Sequence, residues 1–180
     1  MNQSVFYGRS ALLMTLGFLL AMPGAQAADN LRFHGALVAE PCVIPPGEEH
    51  ITLDFGTVID KFLYLNNRTH GQGVALHLTQ CDLSLAKTVK VTFSGIENTA
   101  LPGLLALSPG SQASGIAIGM ETPGGKRLPM NKPWGQQGLV SGDNVLRLQA
   151  YVQAEPEARK HQSIQRGPFS AVATFNLEYE

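Results

Sequence analysis

The sequence predicts an all-β protein built as an immunoglobulin-like sandwich. Apolar and polar residues alternate in short segments such as residues 89–93 and 145–152, which is the period of a half-buried strand. Turn-forming clusters at residues 45–47, 102–103 and 141–143 separate these segments. The chain has 19 glycines and 11 prolines, which fits many short connections. Roughly six or seven short strands in about 150 residues favour two packed sheets.

The candidate strands follow one another along the whole chain. In order they are residues 51–58, 73–80, 88–95, 104–107, 115–121, 144–153 and 168–179. We predict at most a turn or two of helix near residues 155–160. No repeat or low-complexity tract interrupts this pattern, so the strands belong to one domain.

The first 27 residues have the three-part layout of a secretory leader. Arg9 supplies the only charge, residues 11–21 form an apolar run, and Ala25-Gln-Ala27 is a small-x-small cleavage signal. The apolar run is too short for a lasting membrane span, although a single N-terminal anchor is the alternative. We therefore predict a signal peptide at residues 1–27 and cleavage after Ala27.

Composition excludes several classes of function. A net charge of −1 is too balanced to indicate nucleic acid or an anionic membrane as a partner. The five histidines have no metal-binding spacing, and no hydrolase nucleophile motif or phosphate loop is present. We therefore predict no enzyme activity, no cofactor and no metal site. Trp134 is expected to pack in the core or a loop, with stacking on a sugar as the less favoured alternative.

Cys42 and Cys81 are the two cysteines of the chain. In a chain that enters an oxidising compartment, one intrachain disulfide is the default expectation. A zinc site would need more ligands than two distant cysteines supply.

The segment that follows the leader has the pattern of a strand with one apolar face. Its alternate positions share that face and are Leu31, Phe33, Gly35, Leu37 and Ala39. No turn signal joins this segment to the next one. We therefore expect the strand to pair outside its own sheet.

The C-terminal segment alternates just as regularly and runs to the end of the chain. Its apolar face carries Phe169, Ala171, Ala173, Phe175, Leu177 and Tyr179. A terminal strand this regular should have a neighbour on its open edge, and no later segment supplies one.

Together, the two ends resemble the pilin subunits of bacterial chaperone–usher fimbriae, especially minor or adaptor subunits of the P-pilus type. The matching pattern is Phe33-x-Gly35-x-Leu37-x4-Cys42 at the front, with Cys81 as its partner. At the back, Gly167 lies fourteenth from the end and Tyr179 is penultimate. The resemblance covers essentially all of the predicted mature chain.

The resemblance implies a sandwich that lacks its last strand and has a hydrophobic groove beside its C-terminal strand. Residues 28–41 would be a donor-strand extension and residues 42–180 the pilin domain. Gly167 and the C-terminal apolar face would form the acceptor groove. The implied partners are a periplasmic chaperone, an outer-membrane usher and neighbouring subunits, in an extracellular fimbria. An assembly-terminating or carbohydrate-binding subunit of the same fold is the alternative.

Overall fold

A computed structural model describes residues 32–37 and 39–180. The predicted leader and Leu31, a residue of the predicted donor strand, lie outside the described residues. The chain divides into two units, residues 1–37 and 38–180. In the first unit, residues 32–37 are exposed and have no regular secondary structure.

The second unit contains strands and two short helices. The strands are β1 (Gln72–Cys81), β2 (Thr88–Ser94), β3 (Ile116–Glu121), β4 (Arg127–Leu128), β5 (Pro133–Gly138), β6 (Gly142–Ala154) and β7 (Thr174–Tyr179). The helices are α1 (Asp60–Asn66) and α2 (Pro156–Lys160). No helix among the described residues is long and apolar enough to cross a membrane.

The strands form two sheets. One sheet has the order β1-β6-β3-β4, and the other has the order β5-β2-β7. Every pairing in both sheets is antiparallel. The prediction of an all-β protein with two layers is therefore confirmed, and β7 is an edge strand of the smaller sheet.

The main core lies between the two sheets because their strands alternate. In β2, Val89, Val91 and Phe93 are buried while Lys90 and Thr92 lie on the other face. In β6, the main core takes the alternate residues Leu146, Leu148, Ala150 and Val152. Tyr151 lies on the opposite face of β6, in a second buried cluster with Leu101, Leu104 and Ala117. Both faces near the end of β6 are therefore covered.

Four predicted strands correspond to β1, β2, β3 and β6, with ends that shift by one or two residues. The strand predicted at residues 168–179 begins only at Thr174. Residues 104–107 form no strand, and Leu105 makes only isolated bridges to Glu97 and Ile118. The strand predicted at residues 51–58 is wrong, because no described segment pairs with its backbone.

Sequence patterns missed α1, β4 and β5. The segment of β5 contains Pro133 and two glycines, which have low strand propensity. It pairs with β2, and Trp134 packs against the main core. α1 has only 7 residues, and its buried Leu63 contacts the main core. Tertiary contacts therefore outweighed local propensity at both places. The short helix predicted near residues 155–160 is confirmed as α2.

The predicted disulfide between Cys42 and Cys81 is confirmed. Both cysteines are buried in the main core. Beside the disulfide, the Val43 amide donates to the Thr79 carbonyl at 2.8 Å, and the Thr79 amide donates to the Val43 carbonyl at 2.7 Å. The disulfide therefore anchors the start of the second unit to the end of β1.

Candidate functional site

A long groove opens between two extended segments of the second unit and has a volume of about 1090 Å³. We call residues 51–58 the first wall and residues 167–175 the second wall. The floor consists of main-core side chains from both sheets: Val74, Phe93, Leu105, Ile118, Met120, Leu148 and Ala150. The groove therefore exposes the inside of the sandwich along one edge.

The first wall turns three apolar side chains toward the core. Leu53, Phe55 and Val58 are half-buried and pack against the main core. Its backbone is almost unpaired: the Gly56 amide donates to Asp54 Oδ1 at 2.8 Å, and the rest of residues 51–58 makes no hydrogen bond to the described residues. The wall thus has the side-chain pattern of a strand without a strand's partner.

The second wall is paired along only one of its sides. The Pro168 carbonyl accepts from the Gln112 amide at 2.9 Å, and the Ser170 carbonyl accepts from the Ser108 amide at 2.8 Å. The backbone groups of the alternate residues Phe169, Ala171 and Ala173 make no hydrogen bond to the described residues. Because alternate residues of an extended chain point their backbone groups to opposite sides, this wall keeps an open hydrogen-bonding edge.

The C-terminal residues singled out from the sequence share one face. They are half-buried and pack against the main core, as the alternation predicted: Phe169, Ala171, Ala173, Phe175, Leu177 and Tyr179. The first four of these line the groove together with Gly167, whereas Leu177 and Tyr179 lie beyond it on β7. The exposed residues between them face away from the core.

Gly167 begins the second wall in a conformation that favours glycine. Its φ angle is +147°, and a Cβ atom there would lie 2.6 Å from the Gln112 side chain. A side chain at this position would therefore combine backbone strain with a steric clash.

Two contacts tie the walls to each other. The rings of Phe55 and Phe169 have their centroids 6.3 Å apart. Asp60, which begins α1 after the first wall, binds Arg166, which precedes the second wall, with Arg166 Nη2 2.7 Å from Asp60 Oδ2. The hydrogen bond from Arg166 lowers the pKa of the Asp60 carboxyl. These contacts hold the groove at a defined width at one end.

The chain end is held at the far end of β7. The Lys87 and Thr88 amides donate to the Glu180 carbonyl at 2.8 and 3.0 Å. The Glu180 side chain accepts from Lys90 and Gln136, and the Lys90 contact is the main reason that its pKa is lowered. Burial raises the pKa of the neighbouring Tyr179 phenol.

The residues predicted as a donor strand differ from the groove residues because their side chains are exposed. Phe33 and Leu37 are exposed apolar side chains, and a Cβ atom on Gly35 would have no neighbour within 4 Å among the described residues. Ala39, at the start of the second unit, is also exposed. The surroundings of Gly35 in this chain therefore give no reason for a glycine.

One half of the groove, the first wall, was not predicted from the sequence. Residues 51–58 were predicted as a strand but not as a wall, although the spacing of Leu53 and Phe55 is a signal that could have identified their face. The alternative role of Trp134 as a sugar-stacking residue has no support, because its ring packs against the main core. Among the described residues, no three His, Cys, Asp or Glu side chains group as a metal site.

Comparisons with known proteins agree with this architecture. The family model described as fimbrial protein matches residues 31–180. The major MR/P fimbria protein of Proteus mirabilis is 31% identical over 94% of this chain and 97% of its own length. The fimbrial adapter PapK of Escherichia coli is 32% identical over 90% of this chain and 94% of its own length.

A solved structure of a chaperone–usher pilus has a TM-score of 0.67 and 27% identity to this chain. The match covers 88% of this chain and 98% of the pilus chain. The two-sheet fold is therefore the immunoglobulin-like fold of pilin subunits. Since the family model spans all of the described residues, this chain belongs to the fimbrial protein family.

Proposed function

We propose that this protein is a structural subunit of an adhesive bacterial fimbria and polymerises by donor-strand exchange. The observation that carries the proposal is the groove, an edge of the sandwich where core side chains lie open between two walls. A strand laid between the walls would pair with their free backbone groups and cover the core. The proposal involves no catalytic step and no cofactor.

The groove favours an extended strand over a compact ligand. It follows the length of the second wall, where the backbone groups of Phe169, Ala171 and Ala173 are open to pairing. Side chains on alternate positions of the incoming strand would enter the groove and fix its register, since a one-residue slip would turn every apolar group outward.

We assign the donor role to residues 31–39 of a neighbouring subunit of the same fibre. Leu31, Phe33 and Leu37 carry the large apolar side chains of this segment. Burial of each would contribute about 1.5–3 kcal/mol, or roughly 5–9 kcal/mol in total before the cost of ordering the strand. Gly35 would allow the donor backbone to lie close to the acceptor where a side chain would clash.

Before assembly, the open groove is an aggregation hazard, because an unpaired edge and exposed core invite pairing with other chains. We assign its temporary cover to a periplasmic chaperone, which the donor strand replaces at an outer-membrane usher. The subunit would thus pass through the periplasm and end in the extracellular fimbria.

The experiment is a strand-exchange assay with chaperone-bound subunit as the acceptor. Three peptides of residues 29–40 are compared: wild type, Gly35→Leu, and Ala36→Leu as the matched control on the opposite face. We expect the wild-type and control peptides to displace the chaperone and the Gly35→Leu peptide to fail. Equal displacement by all three peptides, or by none with any acceptor of the same fibre, would rule out the donor role.

The donor role also requires a free N-terminus. We propose cleavage after Ala27, so that the mature protein of about 153 residues begins at Ala28. N-terminal sequencing of the exported protein tests this, and retention of Met1 or of the apolar run would contradict it.

A further inference from the structure

A second concave surface lies outside the groove, where α1, the end of β6 and α2 meet. We call it the polar cleft; it has a volume of about 390 Å³, within the usual range for small-ligand sites. Its lining is rich in hydrogen-bonding groups and consists of Tyr64, Asn67, Gln153, Pro156, Arg159 and Lys160.

Gln153 is the most informative of these residues. It is only 8% exposed, and its backbone is fixed in β6 opposite Ala117 and beside Arg68. Its side-chain amide, which offers two donors and one acceptor, makes no hydrogen bond to the described residues. Because Gln153 lines the cleft and its amide has no partner among the described residues, this amide is available to a molecule bound there.

Asn67 presents a second free amide at the rim. Its backbone has a φ of +71° and is held by hydrogen bonds from the Asn67 amide to the Leu63 carbonyl at 2.8 Å and from the Ala154 amide to the Asn67 carbonyl at 2.9 Å. Its side chain makes no hydrogen bond to the described residues. The backbone of Asn67 is therefore held in place, while its side-chain amide is free to bind a ligand.

Arg159 and Lys160 add positive charge. Arg159 Nε donates to the Tyr64 carbonyl at 3.0 Å, which leaves both Nη groups without a partner among the described residues. Lys160 Nζ lies 3.8 Å from the Glu157 carboxylate, beyond hydrogen-bonding distance. Neither Glu155 nor Glu157 lines the cleft, so its charged lining groups are both cations.

Tyr64 supplies the apolar part of the cleft. Its hydroxyl accepts from the Ile164 amide at 3.2 Å, which fixes the ring in place. A planar guanidinium recognises carboxylates, free amides bind hydroxyl groups, and an aromatic ring covers the apolar face of a sugar.

From this combination we infer that the polar cleft binds an acidic saccharide, with the sugar carboxylate on Arg159 and Lys160 and its hydroxyls on Gln153 and Asn67. The site is independent of the strand-exchange groove, with which it shares no lining residue. It would give each subunit along a fibre its own weak contact for a carboxylated glycan, and repetition along the fibre would raise the avidity.

The test is titration of the folded, disulfide-bonded protein with sialyllactose, with neutral lactose and with acetate, followed by saturation-transfer NMR. We expect sialyllactose to bind at millimolar concentrations or below, and lactose and acetate to bind at least about tenfold more weakly. Arg159→Gln should lower the affinity for sialyllactose about tenfold or more, and Asn67→Ala should lower it less. Lys126→Gln, which removes an exposed cation outside the cleft, is the matched control.

Circular dichroism of each variant separates loss of binding from loss of folding, and Lys160→Gln replaces any variant that unfolds. Equal affinity for lactose and sialyllactose, equal affinity for acetate and sialyllactose, or unchanged binding by Arg159→Gln and Lys160→Gln would overturn the inference. So would the absence of binding to wild-type protein.

Discussion

The Asp60 carboxylate accepts two hydrogen bonds from the Arg166 guanidinium, at 2.8 Å from Nε and 2.7 Å from Nη2, both on Oδ2. Asp60 follows the first wall of the groove, and Arg166 directly precedes the second wall. The Asp60 side chain is only 13% exposed, whereas that of Arg166 is largely exposed. One ion pair therefore links the two segments between which a donor strand would insert.

Loss of this ion pair should weaken strand uptake without unfolding the sandwich. For Asp60→Asn or Arg166→Gln we expect the affinity for the donor peptide of residues 29–40 to fall about twofold to fivefold, the range typical of partly exposed ion pairs. The walls would be less well ordered before the strand arrives. Titration of each folded variant with the peptide measures the effect.

The matched control for this prediction is Glu157→Gln, which removes an exposed carboxylate on α2. Exchanging the charges, with Asp60→Arg and Arg166→Asp together, should restore part of the affinity. Single variants that bind as tightly as wild type would show that the pair does not order the groove.

The same pair should give a contribution to stability that depends on pH. Arg166 lowers the pKa of Asp60 in the folded state. The contribution is therefore complete above the unfolded value of about 3.9 and is lost as the pH falls through the lower folded value. Urea unfolding should show a gap between wild type and Asp60→Asn at neutral pH that shrinks below about pH 4. A gap that stays constant into acid would contradict this.

The disulfide should dominate the stability of the isolated subunit. Cys42 and Cys81 are 39 residues apart, and the loop-entropy relation gives about 4 kcal/mol for a loop of this length. Replacement of both cysteines by alanine should lower the free energy of unfolding by about that amount. Wild-type protein under reducing conditions is the control, and reactive thiols in oxidised, folded protein would disprove the bridge.

The assignment of the groove can be tested with two adjacent residues of β7, one facing the groove and one facing away from it. Phe175 is half-buried against the main core and lines the groove, whereas Asn176 is exposed. Phe175→Asp places a charge in the apolar groove at a cost of several kcal/mol and should abolish co-purification with the chaperone. Asn176→Asp should leave co-purification intact. The groove assignment fails if the Phe175→Asp protein folds and is still captured as well as wild type.

How much could be predicted from the sequence is clearest in the C-terminal segment. Alternation alone identified Phe169 to Tyr179 as one core-facing set, because side chains of an extended chain alternate whether or not its backbone is paired. It could not show that the ladder starts only at Thr174, since pairing depends on where β2 ends. The disulfide was likewise predictable, because the chain has only two cysteines.

Tertiary structure alone decided the remaining features, which are the unpaired first wall, β5, the Asp60–Arg166 pair and the polar cleft. The first wall was predicted as a strand and turns Leu53 and Phe55 toward the core, but it formed no ladder, because its backbone makes no hydrogen bond to another described segment. β5 formed despite Pro133 and its glycines because β2 offered an edge and the core accepted Trp134. The Asp60–Arg166 pair and the polar cleft join residues about 100 positions apart along the chain, and local sequence carries no information about such distances. The sequence alone thus determined which faces are apolar; the packing of distant segments decided which edge stays open.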